Sequence, residues 1–218
     1  MKQTLSSQIF RIDGKDCFVE VLNSALPIKK FQINFIEYGG EDHKQKNRLD
    51  IYVDSLKAVA LAERILNGEF ERSVLKAKRD GILYGEKIQV NDFTSYFTDM
   101  GGISEEGVLK RFDELKAKYP FAEKGMALSR QLKIQAGKKS PWVIRAEYGL
   151  GKSSDKGLIV PQGKPVIAIT VPCTYDNFYQ LAVAIKSSYQ AYLNQYYNKY
   201  HEALFQNDAI CMYAGNQT

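Results

Sequence analysis

Apolar and polar positions alternate along several stretches of the chain and twice give way to helical spacing. Phe31, Ile33 and Phe35 alternate with Lys30, Gln32 and Asn34, and Leu49, Ile51 and Val53 alternate with Asp50 and Tyr52. This is the period of half-buried strands. Upstream, IFRIDGKDCFVEVL (residues 9–22) predicts a strand or hairpin turning at Asp13-Gly14. From Asp54 or Ser55 the spacing becomes helical and stops at Gly68, with a cap residue before it and a glycine after it. In the C-terminal half, MALSRQLKIQAGKKSPWVIRAEY predicts the equivalent strands with a turn near Gly137. A longer helix then places Phe178, Leu181, Ile185, Tyr189, Tyr192 and Tyr196 on one face. Such a stripe predicts packing, within the core or between copies of the chain, rather than a cofactor site.

The two halves read as copies of one unit. In each, an alternating run ends in Glu-Tyr-Gly, followed by a basic loop, a second alternating run and a helix. Glu37-Tyr38-Gly39 matches Glu147-Tyr148-Gly149, Ile51 and Val53 match Ile169 and Val171, and Ala62 and Ile65 match Ala182 and Ile185. The length differences fall in the loop and at the helix start, where indels belong. The expected fold class is α+β, with two strand-rich units of strands followed by a helix, forming antiparallel sheets with packed helices and arranged as a pseudo-dimer. The units are expected at 1–68 and 126–218, with a helical connector at 69–125. Within the connector, Ser104 predicts the N-cap of a helix that turns Val108, Leu109, Phe112 and Leu115 inward and stops before Pro120. The stretch before it, 85–102, predicts a short strand and a turn.

Composition narrows the classes. The 218 residues are 44% hydrophobic and 25% charged, as in a soluble globular protein, and can bury an ample core. No apolar run reaches the length of a membrane span and the first residues lack the apolar stretch of a signal peptide, which predicts a cytoplasmic protein. Cys17, Cys173 and Cys211 are widely spaced and odd in number, against both a disulfide framework and a zinc site. His43 and His201 are the only histidines and no nucleophile elbow appears, so neither catalysis nor a metal or cofactor is expected. Gly151-Lys152-Ser153 ends like a phosphate loop, but Ala146 stands where the leading glycine belongs, and glycines and prolines punctuate the stretch 154–165. It predicts a loop between strands. The net charge of +5 permits nucleic-acid binding without requiring it.

The hairpin, the elements VIRAEYG, QGKPVIAITV and YDNFYQLAVAI, and more weakly INFIEYG, NRLDIYV and ALAERI, give the chain its resemblance to a known family. It resembles the positive cofactor four family of single-stranded DNA-binding proteins, and its duplication resembles the Whirly proteins, which carry two such units in one chain. The lysine-glycine-lysine-alanine element of plant Whirly proteins is absent here, and Ala60 and Leu61 stand near the place of the second copy's Phe178. The two halves are therefore expected to contribute unequally. The resemblance implies a Whirly-like pseudo-dimer that binds single-stranded DNA.

The residues offer matching chemistry. Single strands are held by cations tracking phosphates and by aromatic faces stacking on bases. Lys30 opens one strand beside Asn34, and Lys44, Lys46 and Arg48 fill the following loop. In the second copy Lys138 and Lys139 precede Trp142, Arg145 lies in the strand, and Lys152, Lys156 and Lys164 line the loop. Tyr38, Tyr52, Trp142 and Tyr148 are the candidate stacking rings, although each is also the kind of residue that fills cores. The function expected is non-catalytic binding of single-stranded DNA with little sequence preference, in replication, recombination, transfer or transcription. Two other readings stand beside it: a protein-interaction or inhibitor module of a mobile element, and an RNA binder.

Overall fold

The computed structural model describes residues 7–39, 44–84, 95–137 and 139–215, the side chains of 77–84 and 203–215 excepted. It is an α+β protein with two antiparallel sheets and packed helices. The first sheet is a meander, β1 (Gln8–Asp13), β2 (Cys17–Leu22), β3 (Lys30–Gly39) and β4 (Lys44–Asp54), each strand paired with the next. The turn expected at Asp13-Gly14 joins the first two, closed by the Gly14 N–H on the Cys17 carbonyl at 2.7 Å. Helix α1 (Ser55–Leu66) follows directly, and the Asp54 carboxylate caps it by accepting from the Leu56 and Lys57 N–H groups. Gly68, with φ of +67°, turns the chain into α2 (Glu69–Tyr84).

The second sheet repeats the plan. β5 (Ser95–Ile103), β6 (Ala127–Ala136) and β7 (Trp142–Ser153) pair in order, and one edge of β7 is shared by β8 (Ile159–Pro161) and β9 (Ile167–Cys173). β9 lies along Trp142 to Tyr148 and β8 continues that edge along Gly151 to Ser153. Helix α5 (Tyr175–Gly215) follows β9 as α1 follows β4. Residues Ala58, Leu61, Ala62 and Ile65 of α1 are buried, and so are Phe178, Leu181, Ala182 and Ile185 of α5, in the same spacing. The two helices pack together, tied at the surface by Lys186 Nζ to Glu63 Oε1 at 2.6 Å.

Between α2 and β6 the chain differs from the expected helical connector. β5 lies inside it and pairs with β6, so the second sheet takes an edge strand from that stretch. The helix capped by Ser104 is interrupted at Arg111, giving α3 (Glu105–Lys110) and α4 (Phe112–Lys118). Val108 and Leu115 are buried as expected, but Leu109 faces outward, 61% exposed. Residues 85–94 of the expected strand and turn lie outside the described residues.

The Glu-Tyr-Gly match is displaced by one residue from the structural repeat. On β3, Phe31, Ile33 and Phe35 face the core; on β7, Trp142, Ile144, Ala146 and Tyr148 do. Pairing Tyr38 with Tyr148 therefore sets an outward side chain against an inward one, because a one-residue slip exchanges the faces of a strand. One buried cluster runs through both units. Its centre is aromatic: the Trp142 ring stacks on Phe178 with centroids 5.1 Å apart and meets the edges of Phe70 and Tyr96 at 5.6 and 5.7 Å.

Candidate nucleic-acid interface

The helices bury one face of each sheet, and the opposite faces are partly closed as well, with Phe18, Asn34 and Ile36 of the first and Gln131 and Gln135 of the second buried, so a ligand can reach only the exposed positions of those faces and the strand ends. On the first sheet this outer face carries Arg11, Asp13, Phe18, Glu20, Gln32, Asn34, Tyr38, Arg48, Asp50 and Tyr52, as the strand registers place them. Its side chains are cross-linked. Gln32 Nε2 donates to Asn34 Oδ1 at 2.8 Å, and Asn34 Nδ2 donates to Glu20 Oε1 at 2.9 Å. The Arg11 guanidinium lies 3.6 Å from the centre of the Phe18 ring, which in turn meets Tyr38 at 5.8 Å. Arg48 Nε donates to Asp50 Oδ1 at 2.8 Å. Tyr38 and Tyr52 are half-buried. Asn34 is buried and its amide is committed to Gln32 and Glu20, so it supports this face from within and is not a free base contact. Lys30 is half-buried at the start of β3, whereas Lys44 and Lys46 are exposed at the far end, with Lys46 Nζ 3.8 Å from Glu37 Oε1.

The second sheet presents a shorter polar face. Lys133 Nζ and Arg145 Nε each donate to Glu147, both at 2.6 Å, and Arg145 Nη1 reaches Thr170 Oγ1 at 3.2 Å. Burial alone would raise the Glu147 carboxyl, but the two cationic hydrogen bonds outweigh it and hold the group below the ordinary carboxylate range. A cleft of about 260 Å³ opens beside this triad, roofed by 161–165 with Lys164 exposed at its rim, and Gln131 and Gly149 in its lining. Sequence reasoning missed Gln131, Lys133 and Glu147 as a group. Lys133 alternates with Leu132 and Ile134, which is the signal that places it on the solvent face.

Lys139 is exposed in the turn between β6 and β7, while Lys152 and Lys156 are exposed at the other end of β7. The two groups are thus separated by the length of that strand. The segment Gly151-Lys152-Ser153 is strand, paired with β8, and the following turn is closed by Ser154 N–H to the Leu158 carbonyl at 2.7 Å. Its glycine and lysine do not open a helix, as a phosphate-cradling loop requires. Lys138 and His43 lie outside the described residues.

Two expected stacking rings are corrected. Trp142 is 2% exposed and enclosed by Phe70, Tyr96 and Phe178, and Tyr148 is 6% exposed against Tyr119. The Tyr148 hydroxyl donates to the Asp50 carbonyl at 2.8 Å, and burial raises its pKa above the ordinary tyrosine value. Neither ring offers a face to a base. Both belong to the inward set of β7, as their even-numbered neighbours Ile144 and Ala146 show.

Among the described residues no group of three or more His, Cys, Asp or Glu side chains is arranged to hold a metal ion, and no helix is long and apolar enough to cross a membrane. The chain matches no protein-family model, no curated protein and no solved structure.

Proposed function

We propose that this chain binds single-stranded DNA along the outer faces of its two sheets, with little dependence on base sequence and without chemistry. The arrangement is read as Whirly-like, two strand-and-helix units in one chain acting as a pseudo-dimer. The observation that carries the reading is the pair of polar faces, which lie opposite the helices and have cations at their strand ends. The first also carries the half-buried Tyr38 and Tyr52 on the same face as Arg48. Each cation on a phosphate releases counterions, and each stacked base contributes about 1–3 kcal/mol, neither of which depends strongly on which base is present.

The test is fluorescence anisotropy of labelled single-stranded and duplex DNA at two salt concentrations. Tight, salt-sensitive preference for the single strand is expected. Failure to bind overturns the reading and directs the search to a protein partner, whereas stronger competition by RNA of the same sequence reassigns the ligand.

The distal part of α5 supports a further proposal about assembly. Tyr189 and Tyr192 are half-buried, but Tyr196, Tyr197 and Tyr200 are more than half exposed, so the stripe outruns the core that it packs on. Homo-oligomers formed through this helix are expected by light scattering, and a Tyr196→Ser, Tyr200→Ser chain should remain a monomer. An unchanged mass for that variant rules out this surface.

A further inference from the structure

Where α4, β4 and the start of β6 meet, a cleft of about 250 Å³ joins the outer face of the first sheet to the second unit. Its lining includes Arg111 and Lys118 from the segment between the two units, Arg130 from β6, and Tyr52 from β4. We propose that this cleft is a phosphate subsite that carries one single strand off the first sheet and past the connector helices. The inference rests on the single-strand reading above and assigns the connector a part in it.

Charge supports the assignment. The Asp50 carboxylate in the lining is already engaged, by Arg48 at 2.8 Å and by Lys118 at 3.5 Å. Arg111 and Arg130 hold no carboxylate partner among the described residues. Two guanidinium groups in one concavity are therefore in no salt bridge, and their planar forks match phosphate oxygens. Glu114 is the opposing charge in the lining that no cation offsets.

Structure holds the cleft open. The interruption between α3 and α4 falls at Arg111, putting that side chain in the lining. The floor is fixed by the Tyr119 and Tyr148 rings, 5.3 Å apart, and by the Tyr148 hydroxyl on the Asp50 carbonyl. Tyr52 lines the cleft and also stands on the outer face across from Gln32. A base stacked on Tyr52 would thus bring its own backbone to the guanidinium groups.

The experiment titrates the full chain with labelled oligothymidylate over a range of salt, comparing wild type with Arg111→Glu, Lys118→Glu and Glu114→Gln. The control is Lys110→Glu, on the solvent side of α3 and paired with Glu106. Arg111→Glu and Lys118→Glu should each weaken binding by about threefold or more and lower the salt slope by about one, and Glu114→Gln should tighten it by about twofold. The control should stay within about twofold of wild type, as expected for a charge screened by salt. Circular dichroism of each variant checks folding, and the gain at Glu114→Gln cannot come from damage to the fold. If wild type binds while the cleft variants keep its affinity and slope, or the control weakens equally, the cleft is not a phosphate site. If wild type binds no oligothymidylate, the single-strand reading fails and takes the subsite with it.

Discussion

Tyr52 and Trp142 both lie on strands flanked by basic residues, yet their surroundings give them opposite tasks. Tyr52→Ala trims a half-buried ring on an outer face, so it should weaken single-strand binding by about tenfold, the equivalent of one lost stack, and leave the melting temperature nearly unchanged. Anisotropy and a thermal melt on the same preparation check both halves. Trp142→Ala opens the aromatic centre of the core and should cost about 3–5 kcal/mol in urea unfolding, the range for large aromatic truncations. A stability loss near zero would remove Trp142 from the core. Both aromatics were legible as candidates, but their roles were not, because period-two alternation divides inward from outward only when the whole strand is read. Trp142 keeps step with Ile144 and Ala146, which marks it as inward. Glu147 falls in the outward set and carries a pH consequence. Its folded pKa is below that of an exposed carboxylate, so its contribution is present above the ordinary carboxylate range and is lost as pH falls through the folded value. The urea midpoint of wild type should exceed that of Glu147→Gln near neutrality, and the gap should close in acid. A gap that widens in acid would contradict the triad with Lys133 and Arg145.

At the scale of elements, the helices were the most legible part and the connector the least. The spacing of Ala62 and Ile65 against Ala182 and Ile185 survives intact, because a helix face is defined by several residues and tolerates no slip. Ala62 and Ala182 have no exposed surface, so leucine at either position must overpack its surroundings, and a loss of about 1–3 kcal/mol is expected from chemical denaturation. A variant as stable as wild type would show unfilled space there. The tripeptide match between β3 and β7 failed because three residues cannot fix the parity of a strand, and the short strand expected before Ser104 was legible as β5 but its place in the second sheet was not, because its partner β6 lies more than twenty residues away. Turns are different again, since their lysines make no packing contacts that a pattern could register. Reversing Lys152, at the end of β7, and Lys156, in the turn that follows, to Glu should flatten the salt dependence of single-strand binding by about one to two units of slope while the hairpin stays paired. An unchanged slope would show that phosphate does not approach this turn.

For the whole molecule, two strand-rich stretches that each end in a helix were legible but the docking of the two sheets was not, because offsets along a chain carry no information about how two stretches meet. That contact is continuous. The buried cluster passes from the first sheet through α1 and α5 to the second, the Tyr148 hydroxyl of one unit holds the Asp50 carbonyl of the other, and Cys17 Sγ approaches the Thr170 carbonyl at 3.5 Å. Helices α1 and α5 pack on each other across the two halves, so the free energy of folding is expected to be shared and partly unfolded forms should be scarce. The chain provides a local probe for this, since Trp142 is its single tryptophan and lies in the second unit. Far-ultraviolet circular dichroism reports the secondary structure of both units. In urea the two signals should trace one transition with the same midpoint and slope. If the tryptophan transition separates from the dichroism transition, the units unfold independently, and the interface between them is a contact between finished domains instead of a common core. That outcome would also change the picture of the ligand. Under the single-strand reading, a strand crossing from the first sheet to the second would need a fixed path, and one cooperative core would keep both outer faces and the connector cleft in one frame.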